Sequence, residues 1–190
     1  MIALFFTMLA SIILGMGLPT SACYVILAAL GAPALVRLGV PVLAAHFFVF
    51  YFGCLSAITP PVAIASYAGA SIAGADFNQT GIAAVKIAIA AFIVPYMFAF
   101  SPSLLLIGST GTVIYNAITA IIGVVALCAG TQRYLLRDTS ILESALLIIA
   151  GLTLIKPGVA TDIVGIVLLV AVAVVQRFIP RATIEKPSLV

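Results

Sequence analysis

The chain has 190 residues, 65% of them hydrophobic and 7% charged, whereas a soluble domain carries about 45–50% apolar and about 25% charged residues. No single core of this size buries so much apolar surface in water, which excludes an ordinary soluble enzyme. Eight Lys and Arg against five Asp and Glu leave a net charge of +3, so a nucleic-acid binder is excluded, and the apolar content excludes a disordered segment.

The bilayer is the solvent this composition demands. At ~20 apolar residues per spanning helix, the length allows about five to seven crossings. The expected fold class is therefore an all-α integral membrane protein. Cys23, Cys54 and Cys128 lie inside apolar runs, are odd in number and have no metal-site spacing, so they read as small packing residues.

The first apolar run, residues 1–14, stops at Gly15, Met16, Gly17, Leu18, Pro19 and Thr20. Two glycines and a proline so close together break a helix. A second run, 21–30, ends at Gly31, Ala32 and Pro33. Ten helical residues rise only about 15 Å, half of a ~30 Å hydrocarbon core. Residues 1–31 thus read either as one kinked helix or as a re-entrant helical hairpin with its tip at the Gly/Pro/Thr/Ser stretch. In both readings protein or water covers the tip, because broken backbone is not left facing lipid.

Residues 41–75 run without a charge and are interrupted at Ser56, Ala57, Ile58, Thr59, Pro60 and Pro61. Thr59 is pushed out of helical geometry by the proline after it, and both prolines lack an N–H. An interrupted transmembrane helix follows, with halves at 41–58 and 62–75. Asp76, Asn78 or Thr80 can cap the next helix, expected as a single span over 81–100 holding Lys86. A loop over 101–111 leads to a span at 112–130. After a polar loop at 131–140, a final hairpin over 141–155 and 163–175 is expected, with Asp162 at the interface and Glu143 favoured by the dipole of the helix it begins. Six Lys and Arg on one side against two on the other place the C-terminus in the cytoplasm.

Chemistry is expected at the two interruptions, because little else polar is buried. Unwound carbonyls and hydroxyls suit a hard cation such as Na⁺, and half-helix N-termini suit an anionic group. Gly17, Pro19, Thr20 and Ser21 are the candidate substrate-binding residues. Gly15, Gly17, Ser56, Thr59, Pro60 and Pro61 are the candidate Na⁺ ligands, through carbonyl or hydroxyl oxygens. His46, among aromatics, reads first as a packing residue, with proton coupling as the sharper alternative. No nucleophile–base pair or acidic metal cluster stands at catalytic spacing, so no catalytic residue and no cofactor is expected, apart from Na⁺ as a coupling ion.

Residues 15–24 (GMGLPTSACY), 39–53 (GVPVLAAHFFVFYFG) and 58–67 (ITPPVAIASY) together resemble the large membrane subunit of TRAP (tripartite ATP-independent periplasmic) transporters, most closely the fused permease type. The resemblance covers about residues 1–108 and corresponds to the second inverted repeat, half of an ion-transporter-superfamily elevator fold. Residues 109–190 resemble the C-terminal transmembrane extension of some fused permeases. It implies Na⁺-coupled import of an organic acid anion across the bacterial inner membrane. A periplasmic substrate-binding protein, TAXI-type in many fused permeases, would deliver the anion. The other implied partners are an N-terminal permease repeat and small-subunit helices, both expected outside this chain, and the lipid bilayer. Half a site cannot close, so the lone chain is expected not to transport. The alternative is a non-transporting scaffold or an inactive fragment.

Overall fold

The structure, a computed structural model, describes residues 1–156 and 158–178. It divides into two compact units, Met1–Ile118 and Thr119–Val190. Among the described residues all regular structure is helical, with no strand. Three helices are long and apolar enough to cross a bilayer, Thr20–Arg37, Thr110–Gln132 and Val159–Phe178. The protein is an all-α, multi-pass membrane protein.

The first unit is built around one central helix. Helices α1 (Ile2–Gly15) and α2 (Thr20–Arg37) are antiparallel neighbours: a Cβ at Gly15 would meet the Cys23 sulfur, and one at Gly31 would meet the Thr7 methyl. Both pack on α3 (Val42–Leu55), whose Phe48, Val49 and Phe52 are fully buried. One face of α3 forms the core of the unit, while Val42, Leu43, Phe47 and Phe50 stay exposed, as suits a helix apolar all round whose other face meets lipid. Leu27 and Leu35 of α2 and Leu4 and Ile12 of α1 complete this core. Tyr96 closes it edge-on to Phe48 and Phe52, while its hydroxyl donates to the Met8 sulfur at 3.1 Å.

Four expected boundaries move. Helix α2 does not stop at Gly31–Pro33 but runs through Pro33 to Arg37. The ring of Pro33 is on an exposed face, and membrane helices tolerate an interior proline. The interruption lies where expected, as a 3-10 turn over Ser56–Ile58, and α4 resumes later, at Ile64–Ala73. The stretch expected as a single span over 81–100 is bent. Helix α5 (Phe77–Ile87) starts earlier, and a 3-10 turn at Ile89–Phe92 separates it from α6 (Val94–Phe100). The chain bends there by 64°, because Pro95 in the first turn of α6 brings no N–H to continue a helix from behind it. A 3-10 turn at Pro102–Leu105 precedes α7 (Thr110–Gln132).

In the second unit α7 meets α8 (Ile141–Ile155) through glycines. A Cβ on Gly151 would lie 2.7 Å from the Gly123 carbonyl oxygen and 2.7 Å from the Leu127 nitrogen. Such backbone-to-backbone approach is the usual packing device between helices in lipid. Helix α9 (Val159–Phe178) returns antiparallel along α8, with Gly165 against Thr153 and Leu154. Asp162 lies in the first turn of α9 and is 1% exposed.

Candidate functional site

The hairpin tip and the helix break meet. Glycine at position 15 allows it: a Cβ there would stand 2.6 Å from the Ser56 Oγ, 2.8 Å from the Gly53 carbonyl oxygen and 3.1 Å from the Cys23 sulfur. The end of α1 is therefore seated directly on the end of α3, at the residue where the 3-10 turn begins. The turn from α1 to α2 passes through Gly17 with φ of +80°, a conformation that glycine adopts without steric cost.

At the break the hydroxyls fold back on their own helix. Ser56 Oγ donates to the Gly53 carbonyl at 2.6 Å, and Thr59 Oγ1 donates to the Leu55 carbonyl at 2.7 Å. Each hydroxyl thereby uses its only proton and keeps an oxygen lone pair for something else. The chain then passes through Pro60 and Pro61, joined by a cis peptide, to the fully buried Ala63 at φ of +33°. Left-handed geometry is costly for alanine, so its surroundings hold it. Tyr67 Oη donates to the Pro61 carbonyl at 2.8 Å. A Cβ on Gly81 of α5 would lie 3.1 Å from the Pro60 ring and 3.4 Å from Tyr67. Asp76 caps α5 by accepting from the Gln79 amide at 2.8 Å, which sets the helix that backs the break.

Of the predicted residues, Gly15 and Ser56 are buried and face each other, Thr59 and Pro60 are half-buried, and Pro61 is exposed. Gly17, Pro19, Thr20 and Ser21 are exposed around the tip. Pro19 ends the turn and no side chain caps α2, so the first amides of an 18-residue helix point out at the tip with no intrahelical partner. No group of three or more His, Cys, Asp or Glu able to hold a metal occurs among the described residues. The arrangement therefore offers hydroxyl and carbonyl oxygens together with one helix N-terminus.

Other polar features escape a reading of residue types. His46 joins the hairpin to the interrupted helix through a 3.1 Å hydrogen bond with Tyr24, beside an apolar cavity of about 280 Å³ lined by Leu43, Phe47 and Phe50. A 22-residue separation hides that pair. Ser66 lies on α4, 7% exposed, and its hydroxyl has no hydrogen-bond partner among the described residues. Ser101, Ser103 and Asn116 form a buried cluster with links of 2.8 and 2.7 Å, whose signal was only three polar residues in apolar surroundings.

The model of one family, the tripartite ATP-independent periplasmic transporter, DctM component, matches residues 1–113. The chain belongs to the DctM family. That match contains both interruptions and the whole of α1 to α6. A second model, a domain of unknown function (DUF3394), matches residues 111–165, within which α7 and α8 meet. No curated protein and no solved structure matches the chain. DctM is a transporter family and not an enzyme family, and a tripartite system implies a periplasmic binding protein and a small membrane subunit as the other components.

Proposed function

We propose that this DctM chain is part of a Na⁺-coupled secondary transporter that imports an organic acid anion. The anion is handed over by a periplasmic binding protein, TAXI-type by the sequence resemblance, at the inner membrane, and the C-terminus is cytoplasmic. The observation that carries this reading is the seating of Gly15 on Ser56, which puts a hairpin tip and an unwound helix at one place. Discontinuous helices meeting in this way are the common form of ion and substrate sites in secondary transporters.

The donors fit a hard monovalent cation. Ser56 and Thr59 have spent their protons on Gly53 and Leu55, so their oxygen lone pairs remain as acceptors, with the tip carbonyls of Gly15 and Gly17 as further candidates. Pro60 and Pro61 hold the break open rather than supplying amides. The exposed start of α2, at Pro19, Thr20 and Ser21, presents a helix N-terminus to a carboxylate. Coupling then follows from shared residues. A cation held between tip and break fixes the tip, and the fixed tip orients the anion-binding amides. Movement of this unit as an elevator against a scaffold would carry both across.

The test uses the assembled permease carrying this chain, reconstituted in proteoliposomes with its binding protein. Thr59→Ala is expected to raise the Na⁺ concentration for half-maximal uptake roughly tenfold, the effect of losing one oxygen ligand, while Thr59→Ser restores it. Uptake that is independent of Na⁺ in the wild-type assembly overturns the coupling.

A further inference from the structure

The loop that joins α7 to α8 is a fixed turn rather than a slack connection. Arg133, at φ of +56°, turns the chain out of α7. Its carbonyl accepts from the Thr139 amide at 2.9 Å, and the Arg137 carbonyl accepts from the Leu135 amide at 3.3 Å. Residues 133–139 thereby close on themselves. Two further bonds tie the closed loop to the neighbouring helices. Gln176 of α9, 5% exposed, accepts from the Leu136 amide through Oε1 at 3.1 Å, and Arg137 donates to Glu143 of α8 at 3.0 Å. The loop backbone is fixed to the ends of all three helices of the second unit.

That frame leaves large apolar side chains outside. Tyr134 is 58% and Leu136 57% exposed, and Phe178, two residues past Gln176, is 77% exposed. Arg133 and Arg177 next to them in the chain are exposed and have no ion-pair partner among the described residues. Asp138, bridged across the loop to Tyr134, is exposed as well. Position says what meets this surface. Helix α7 has 23 residues and rises about 35 Å, more than the ~30 Å hydrocarbon core. A loop that starts at its end therefore lies in the headgroup layer, about 5–8 Å thick on each face of the bilayer. Tyrosine rings and arginines concentrate at that depth.

We propose that Arg133, Tyr134, Leu136, Arg177 and Phe178 form a docking surface for the headgroup layer of an anionic leaflet, which sets the depth of α7, α8 and α9 in the bilayer. Leu136 and the rings of Tyr134 and Phe178 enter the layer at the start of the acyl chains, and Arg133 and Arg177 meet lipid phosphates. Asp138 offsets one of the two positive charges, so the net attraction is that of about one arginine. The surface is independent of the transport reading, because every residue in it belongs to the second unit.

The test is fluorine NMR of the full chain in lipid nanodiscs, with 3-fluorotyrosine in place of its six tyrosines. The signal missing from Tyr134→Phe is that of Tyr134, whose shape and hydroxyl the label keeps. A nitroxide near the top of the acyl chain is expected to broaden this signal more than a nitroxide near the chain end or a gadolinium chelate in the water. Nitroxide-labelled phosphatidylglycerol should do so at roughly one fifth of the concentration needed with labelled phosphatidylcholine. Arg133→Gln combined with Arg177→Gln, both at exposed positions, should remove that preference and leave the other tyrosine signals unchanged. Broadening by the aqueous chelate alone overturns the proposal, because the loop then stands in water. A signal shielded from all three probes also overturns it and assigns the face to a protein partner. Equal response to the two lipids overturns the anionic preference.

Discussion

Gly15 is the residue on which the contact between hairpin and broken helix depends. Its Cα occupies the space that any side chain would need, with the Ser56 hydroxyl and the Gly53 carbonyl on the far side. A carbonyl in a packed helix cannot rotate away as a flexible side chain could. Gly15→Ala therefore forces the two segments apart instead of merely crowding them. The expected cost is about 1–3 kcal/mol of stability, read as a lower melting temperature of the purified chain. In the assembled permease the same substitution should weaken Na⁺ dependence of uptake more than Gly17→Ala does. Nothing lies within 4 Å of a Cβ at Gly17, so that variant bears only the strain of its positive φ. If the two variants melt alike, close approach at Gly15 is not what holds the tip on the break.

Between elements, the support of the break comes from α5. Its first turn is set by Asp76, and Gly81 one turn further on touches Pro60 and Tyr67. Asp76→Ala should cost about 1 kcal/mol, seen as hydrogen exchange roughly fivefold faster at the amides of 77–80, with α3 unchanged. This cap was legible in the sequence, as were both interruptions, because Gly, Pro and Asp act locally. The bend inside 81–100 was not. Pro95 was visible, but the surrounding apolar run reads equally well as one span. Pro95 permits the break, and the packing of Tyr96 and Phe92 onto Phe48 and Phe52 fixes the bend, a tertiary fact. Pro33 errs the other way: it reads as a stop, yet α2 runs through it, as membrane helices tolerate an interior proline. Tyr24 with His46, and Gln176 with Leu136, are contacts between distant positions that no local pattern announces. The choice of candidate site residues was local too, and the structure adds the one thing a local reading cannot supply, the adjacency of Gly15 and Ser56.

At the scale of the molecule, two packing principles divide the chain where the two family matches meet, at residues 111–113, close to the boundary between compact units at Ile118. The first unit is held by aromatic and aliphatic side chains around α3. The second is held by glycines that bring backbones together, Gly151 against Gly123 and Leu127, and Gly130 against Ser144 and Ile148. Gly151→Leu places a branched side chain against two backbones and should cost about 1–3 kcal/mol, with faster hydrogen exchange confined to α7 beyond residue 119, α8 and α9. Protection of Phe48 and Phe52 in α3 should stay at the wild-type level. Combining Gly151→Leu with Gly15→Ala carries the argument further, since sites without shared partners add to within about 0.5 kcal/mol. The double variant is expected to lose the sum of the two single losses, each localised to its own unit by exchange. A double variant that loses much less or much more would mean that the units fold as one cooperative body, and that the glycine seam of α7 and α8 contributes to holding the hairpin tip on the break.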